Sequence, residues 1–316
     1  MTKKMIATIL FVVFTAGLIS GCVKETADDG KINIVCTVFP VYDWIQEITE
    51  GEEQRFSVTL LSGGGDLHSF QPSARDIAKI HSCDLVVTVG GTTDKWTEEI
   101  ELSDSVKRLS LFDILEETEK LISGEDAGEH HNHEGHSDDE YDEHIWLSLT
   151  LAERMTNALC EELCDVDPER GVVYQKNTMD YCQKLKDLDA EYRSVCEKEQ
   201  DKTVIFADRF PFAYMMKDYK ITCYAAFPGC SSDSEASFET VAQLSEMVKK
   251  HNKKTVLVLE NSNQAVANAI NNALDGISVD KAVMDSCQTI NQGSAGKSDY
   301  IEIMKKNLEA LESALM

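Results

Sequence analysis

Residues 167–198 read DPERGVVYQKNTMDYCQKLKDLDAEYRSVCEK. Asp167 offers an acid at the N-cap, and Pro168 sits at the first helical position, where a missing N–H costs nothing. Downstream, Met179, Cys182, Leu185, Leu188, Tyr192 and Val195 fall three or four residues apart, one apolar stripe at the helical period. The segment Pro168–Lys198 is therefore predicted to be a helix of about eight turns. A helix of that length is too long to hide inside one small domain. It is expected to run along two neighbouring units and join them stiffly, or else to lie on the surface of the second unit.

Short β-branched runs recur on both sides of it. Ile32–Phe39, Phe56–Leu61 and Asp84–Gly90 read as strands before it; Thr203–Asp208, Ile221–Phe227, Thr255–Glu260 and Ile277–Asp285 read as strands after it. Helical patterns separate them at Ser73–Ser82, Ala236–His251 and Asn263–Leu274, and Ser298–Leu315 carries Ile301, Met304, Leu308, Leu311 and Leu315 on one face. Strands alternating with helices imply parallel sheets covered on both faces. The expected architecture is α/β throughout: an N-terminal α/β domain over 31–165, a rigid connecting helix over 166–200 and a C-terminal α/β domain over 201–316.

The first 21 residues are of another kind. Lys3 and Lys4 precede an almost wholly apolar run, Ile6–Ile19, which is too short to span a bilayer comfortably and fits a secretory leader. Ile19-Ser20-Gly21-Cys22 resembles a bacterial lipobox, so Cys22 is expected to be acylated and to hold the mature protein at the outer face of the cell membrane through a polar linker, 22–30. The formal charge of −26 over 316 residues repels nucleic acid and attracts cations without selecting one. Ten Cys are present and none forms a Cys-x-x-Cys pair; with Cys22 set aside, nine remain, an odd number that leaves at least one outside any disulfide.

Ligand-bearing side chains cluster in two ways. The tract 124–142, GEDAGEHHNHEGHSDDEYD, has too few apolar residues to pack. It holds His130, His131, His133 and His136, an auxiliary metal-collecting loop. The principal site should stand on rigid elements, beyond the carboxyl ends of the strands. His68 follows the strand ending at Leu61, His144 follows the polar tract, and Asp208, Glu260 and Asp285 end strands of the second half. Together they suit one cation held in a cleft between the domains. Neutral imidazole favours zinc; the carboxylates leave manganese open. The chain has no His-Glu-x-x-His, no Gly-x-Ser-x-Gly and no phosphate-cradling Gly-rich loop with Lys, so an enzyme is not expected; a metal-binding surface adhesin, for which the metal would be incidental, is the alternative to a receptor.

Gly65-Asp66-Leu67-His68-Ser69-Phe70-Gln71-Pro72-Ser73 resembles the first metal-ligand motif of the zinc/manganese-binding solute receptors of ABC importers, the group with a helical backbone between its domains. Asp142-Glu143-His144-Ile145-Trp146-Leu147-Ser148 resembles the second, and the preceding His-rich loop is similar to that of the zinc-specific members. Val283-Met284-Asp285 resembles the strand end that supplies the last carboxylate. The likeness runs from about residue 31 to 316. It implies His68, His144 and Asp285 as ligands of a transported zinc ion, with manganese as the alternative ion. It also implies an ABC permease and its ATPase as partners, and a monomer as the working form.

Two positions depart from the family pattern. Leu67 stands where Pro is usual. In the third motif Phe212-Ala213-Tyr214 supplies the aromatic pair, which puts Arg209, a permanent cation, at the ligand position. Asp208 beside it, or Cys230 in Phe227-Pro228-Gly229-Cys230, is the candidate replacement. Arg209 is then expected to orient a carboxylate, for which Glu235 is a candidate.

Overall fold

The computed structural model describes residues 30–64, 67–116, 122, 141–228 and 236–316. Cys22, the four His of the 124–142 tract, Cys230 and Glu235 lie outside the described residues.

The N-terminal half opens with β1 (Ile32–Cys36), α1 (Phe39–Ile48), β2 (Phe56–Leu60), α2 (Ala74–His81), β3 (Leu85–Thr88), β4 (Lys107–Ser110) and α3 (Leu111–Glu116). Its sheet has the order β2-β1-β3-β4, with every pairing parallel. The run expected as one strand to Phe39 stops at Cys36, because Pro40 starts a helix well and removes a ladder donor. β4 was not anticipated: Lys-Arg-Leu-Ser has no alternation, since it is a half-exposed edge strand.

Two helices follow, α4 (Leu149–Val166) and α5 (Gly171–Lys198), with a 3₁₀ turn at Pro168–Arg170 between them. α5 is the predicted long helix, but its buried stripe is Tyr174, Thr178, Tyr181, Cys182, Leu185, Leu188, Tyr192 and Cys196. Met179, assigned to the stripe, is 74% exposed. Asp167, expected to cap the helix, is drawn elsewhere. Its carboxylate takes both Nε and Nη2 of Arg55 at 2.7 Å and the Tyr174 hydroxyl at 2.6 Å. That bidentate pair fastens the start of the long helix to the N-terminal half.

The C-terminal half comprises β5 (Thr203–Phe210), α6 (Ala213–Tyr219), β6 (Thr222–Pro228), α7 (Phe238–Lys250), β7 (Thr255–Leu259), α8 (Ala265–Ala273), β8 (Asp280–Met284), α9 (Gln292–Ala295) and α10 (Tyr300–Leu315). Its sheet order, β6-β5-β7-β8, repeats that of the first half and is again parallel. Asp208 does not end its strand: β5 continues to Phe210 across a bulge between Phe206 and Arg209.

The period-2 alternation explains the packing. Ile34, Cys36, Leu85 and Val87 of the first sheet and Val204, Phe206, Leu257 and Leu259 of the second face one hydrophobic core, together with Leu185, Leu188 and Tyr192 of α5. The alternate residues, Val35 and Val86 in one sheet and Ile205, Val256 and Val258 in the other, face separate outer clusters. The two sheets thus share one interior, with α5 part of it. The eight described cysteines, including Cys160 on α4, are all free thiols; six are buried and serve as small apolar groups.

Asp43 on α1 crosses between the halves, accepting the Tyr300 amide of α10 at 3.2 Å. Burial pushes its carboxyl up to about 7; the Tyr300 amide opposes this, and the charges of Asp299 and Glu47 add to it. An unfolded Asp ionises near 3.8. The folded chain therefore keeps a proton that the unfolded chain has lost, and stability falls as pH rises across that window. Asp43→Asn, which can still accept the amide, is expected to lose less melting temperature between pH 5 and pH 8 than the parent. Equal losses in calorimetric melts would refute this.

Candidate metal site

His68 lies in the 3₁₀ turn Leu67–Ser69 that follows β2. Leu67, standing where the family usually has Pro, is 3% exposed and packs into the shared core, so it anchors the turn by burial. His144 is fully buried and leads into the 3₁₀ turn Ile145–Leu147. The two imidazoles meet edge to face, with ring centroids 5.8 Å apart and an interplanar angle of 66°.

Consecutive carboxylates hold them. Asp142 Oδ1 accepts the His144 amide at 2.9 Å and lies 3.0 Å from His144 Nδ1. Glu143 Oε1 lies 3.1 Å from His68 Nδ1. A carboxylate beside each Nδ1 keeps the proton there, so the lone pair stands on Nε2, as in carboxylate–histidine–metal arrangements. Both Nε2 atoms are buried.

Glu143 is held from several sides. Its oxygens accept the Thr93 amide at 2.9 Å, the Thr92 hydroxyl at 3.2 Å and the Thr93 hydroxyl. Burial alone would raise its carboxyl, but the hydrogen bond from His68, the charges of His144 and His68 and the Thr93 contact bring it to about 2. Gly91 makes room for it: a Cβ there would fall 2.6 Å from Glu143 Cβ and closer still to its carboxylate. The neighbouring Asp94 ties the ends of β1 and β3 together, accepting the Thr37 hydroxyl at 2.7 Å and the Val89 and Gly90 amides at 2.6 and 3.0 Å. These strand ends are where the sheet order reverses, the usual place for a ligand crevice.

The second half carries two carboxylates at strand ends. Glu260 directly follows β7 and accepts the Ser286 amide at 3.1 Å and its hydroxyl at 2.8 Å. Asp285 directly follows β8; its main chain is clamped by Asn307 at 2.7 and 2.8 Å. Burial raises both carboxyls, and the charge of Asp285 raises Glu260 further; in Asp285 the Cys287 amide and Lys306 oppose the shift. Such a pair favours a cation nearby.

Trp146 joins the two sets. Its indole N–H donates to the Ser286 carbonyl at 2.9 Å, and its ring packs against His144 with centroids 5.3 Å apart. The turn carrying His144 is thereby set against the strand end carrying Asp285. Tyr214, from the aromatic pair of the third motif, donates its hydroxyl to the Asp142 carbonyl at 2.9 Å.

His68 and His144 are thus brought together. Asp208 is half-buried on β5, where its carboxylate accepts the adjacent Arg209 amide at 2.9 Å. Among the described residues no set of three or more His, Cys, Asp or Glu side chains converges on one point. Sequence reasoning gave no role to Asp142, Glu143, Thr93, Gly91 or Tyr214. The first two lie inside the quoted His144 motif, and acids next to a candidate ligand histidine were the available signal.

The model of the ZnuA family, the periplasmic zinc-uptake complex component A, matches residues 34–314. The chain belongs to the ZnuA family. It is 29% identical over 307 residues to the zinc-binding lipoprotein AdcA of Streptococcus pneumoniae, covering 96% of this chain and 60% of AdcA. The chain thus spans three fifths of that relative. It is 27% identical to the high-affinity zinc uptake system protein ZnuA of Bacillus subtilis, covering 93% of this chain and 91% of that protein. The crystal structure of the Zn(II)-bound ZnuA-like domain of S. pneumoniae AdcA superposes with a TM-score of 0.71 at 26% identity, over 90% of this chain and 99% of that one. No helix among the described residues of this ZnuA-family chain is long and apolar enough to cross a membrane.

Proposed function

We propose that this ZnuA-family chain is an extracytoplasmic receptor that captures a zinc ion as cargo and delivers it to the permease and ATPase of an ABC importer. In this reading acylated Cys22 holds it at the membrane as a monomer, and it performs no catalysis. The lobes 31–165 and 201–316 flank the connecting helix, and the ion sits between them. The contact that carries the proposal is the Trp146–Ser286 hydrogen bond. It sets His144, with His68 against it, beside the strand end of Asp285.

His68 and His144 ligate through Nε2, and Asp285 neutralises the ion's charge. Asp142 and Glu143 orient the imidazoles and do not ligate. A further place in the coordination sphere falls to Asp208 or Cys230. The bulge in β5 supports Asp208, because bulges re-aim side chains beside functional sites. Cys230 as thiolate would favour zinc over manganese.

The proposal is tested by elemental analysis of the purified protein and by titration calorimetry with zinc and manganese. Binding of neither ion would sink it, and tighter binding of manganese would reassign the cargo. The His-rich tract gathers metal without forming the principal site. Deleting residues 125–140 is therefore expected to leave the tightest calorimetric binding event unchanged and to remove weaker ones. Loss of the tight event would show that the tract belongs to the principal site.

A further inference from the structure

Tyr300 is the first residue of α10, is fully buried, and has a contact in each direction. Its amide donates to Asp43 on α1. The ring meets Trp44 edge-on at a centroid distance of 5.4 Å. Its hydroxyl donates to the Trp146 carbonyl. Trp146 in turn packs on His144 and donates to Ser286, whose amide and hydroxyl bind Glu260. One residue of the last helix thus sits behind the turn that bears one imidazole and behind the strand ends that bear the acidic pair.

We propose that Tyr300 is a positioning residue for the metal site, its hydroxyl holding the His144 turn in place against the Asp285 strand end, so that less of the site has to be ordered when the ion binds. The inference rests on the zinc-receptor reading and extends it to a residue without ligand character. Physically, a closed site holds its ion longer when ligand geometry is fixed before binding than when it must be ordered at the moment of capture. The Trp146 carbonyl accepts the hydroxyl in a buried place. Removing the hydroxyl therefore leaves that carbonyl short of a bond, and the turn is free to shift.

A matched control bonds to the same helix. Tyr192 of α5 is also fully buried, and its hydroxyl donates to a backbone carbonyl of α10, that of Met304, at 2.6 Å. None of the site residues named above takes part in that bond. Tyr192→Phe and Tyr300→Phe therefore delete equivalent bonds, one away from the site and one behind it.

The experiment compares both variants with the parent full chain, using zinc ion alone as the probe. Melting temperature is read with and without zinc, and zinc release to a chelator is followed by stopped flow. A ligand stabilises the fold according to its affinity, so the zinc-induced rise in melting temperature reports affinity apart from intrinsic stability. Both variants are expected to melt lower than the parent without zinc. In Tyr300→Phe the zinc-induced rise should also shrink, and release should quicken roughly fivefold to tenfold, the scale of one buried hydrogen bond. In Tyr192→Phe the rise and the release rate should match the parent. A parent-like rise and rate in Tyr300→Phe would overturn the proposal, as would equal losses in both variants. If Tyr300→Phe does not fold, Trp146→Phe, which deletes the indole bond to Ser286, is read by the same criteria. Absence of any zinc-induced rise in the parent would instead overturn the zinc-receptor reading itself.

Discussion

Replacing His68 or His144 with Ala is expected to lower zinc affinity by at least roughly a hundredfold, beyond what losing an outer-shell partner commonly does. Each imidazole is held by its own carboxylate with Nε2 directed away from it, so neither can stand in for the other. His144 is fully buried, and its removal leaves the Asp142 carboxylate without the Nδ1 contact. A loss of intrinsic stability is therefore expected in His144→Ala as well. His68 is one-fifth exposed and should melt closer to the parent. Competition calorimetry against a chelator, paired with metal-free melts, separates the two effects. Parent-like affinity in either variant, with folding intact, would remove that histidine from the site.

Gly91→Ala is expected to damage the site from a position that touches no metal. The added Cβ would stand 2.6 Å from Glu143 Cβ, closer than such atoms approach. The end of a flexible chain could swing aside, but a Cβ is tied to its backbone. The segment carrying Thr92 and Thr93 must then move, and these residues supply three of the bonds that seat Glu143. Overpacking of this kind destabilises by ~1–3 kcal/mol. Because Glu143 orients His68, zinc affinity should fall by roughly tenfold or more. Denaturant melts of the metal-free protein and a zinc titration would show both. If stability and affinity are unchanged, Glu143 is not the group that positions His68.

Much of the fold was legible because burial imposes period. Val204–Phe206 and Thr255–Leu259 read as strands since parallel strands are apolar on both faces. The final helix was legible because Ile301, Met304, Leu308, Leu311 and Leu315 all turn inward at helical spacing. β4 was not, because an edge strand of Lys-Arg-Leu-Ser is selected for exposure. The inclusion of Met179 in the buried stripe failed for a related reason: Tyr181 and Thr178 face the interior in its place, and periodicity alone does not choose between adjacent faces of a long helix.

The site divides along the same line. His68 and His144 were recognisable from the chemistry of their residue type and from the motifs around them. Their orienting partners were not, because Glu143 reaches His68 across 75 residues of chain and is seated by threonines that look like ordinary loop residues. Sequence alone determined the class of fold, the long helix and two imidazole-bearing motifs, since local period and residue chemistry are carried by neighbours in the chain. Only the tertiary structure decided that adjacent acids hold opposite histidines, and that Trp146 and Tyr300 tie one half to the other. Those contacts join residues far apart in sequence, and no local pattern encodes which distant partner a side chain will meet.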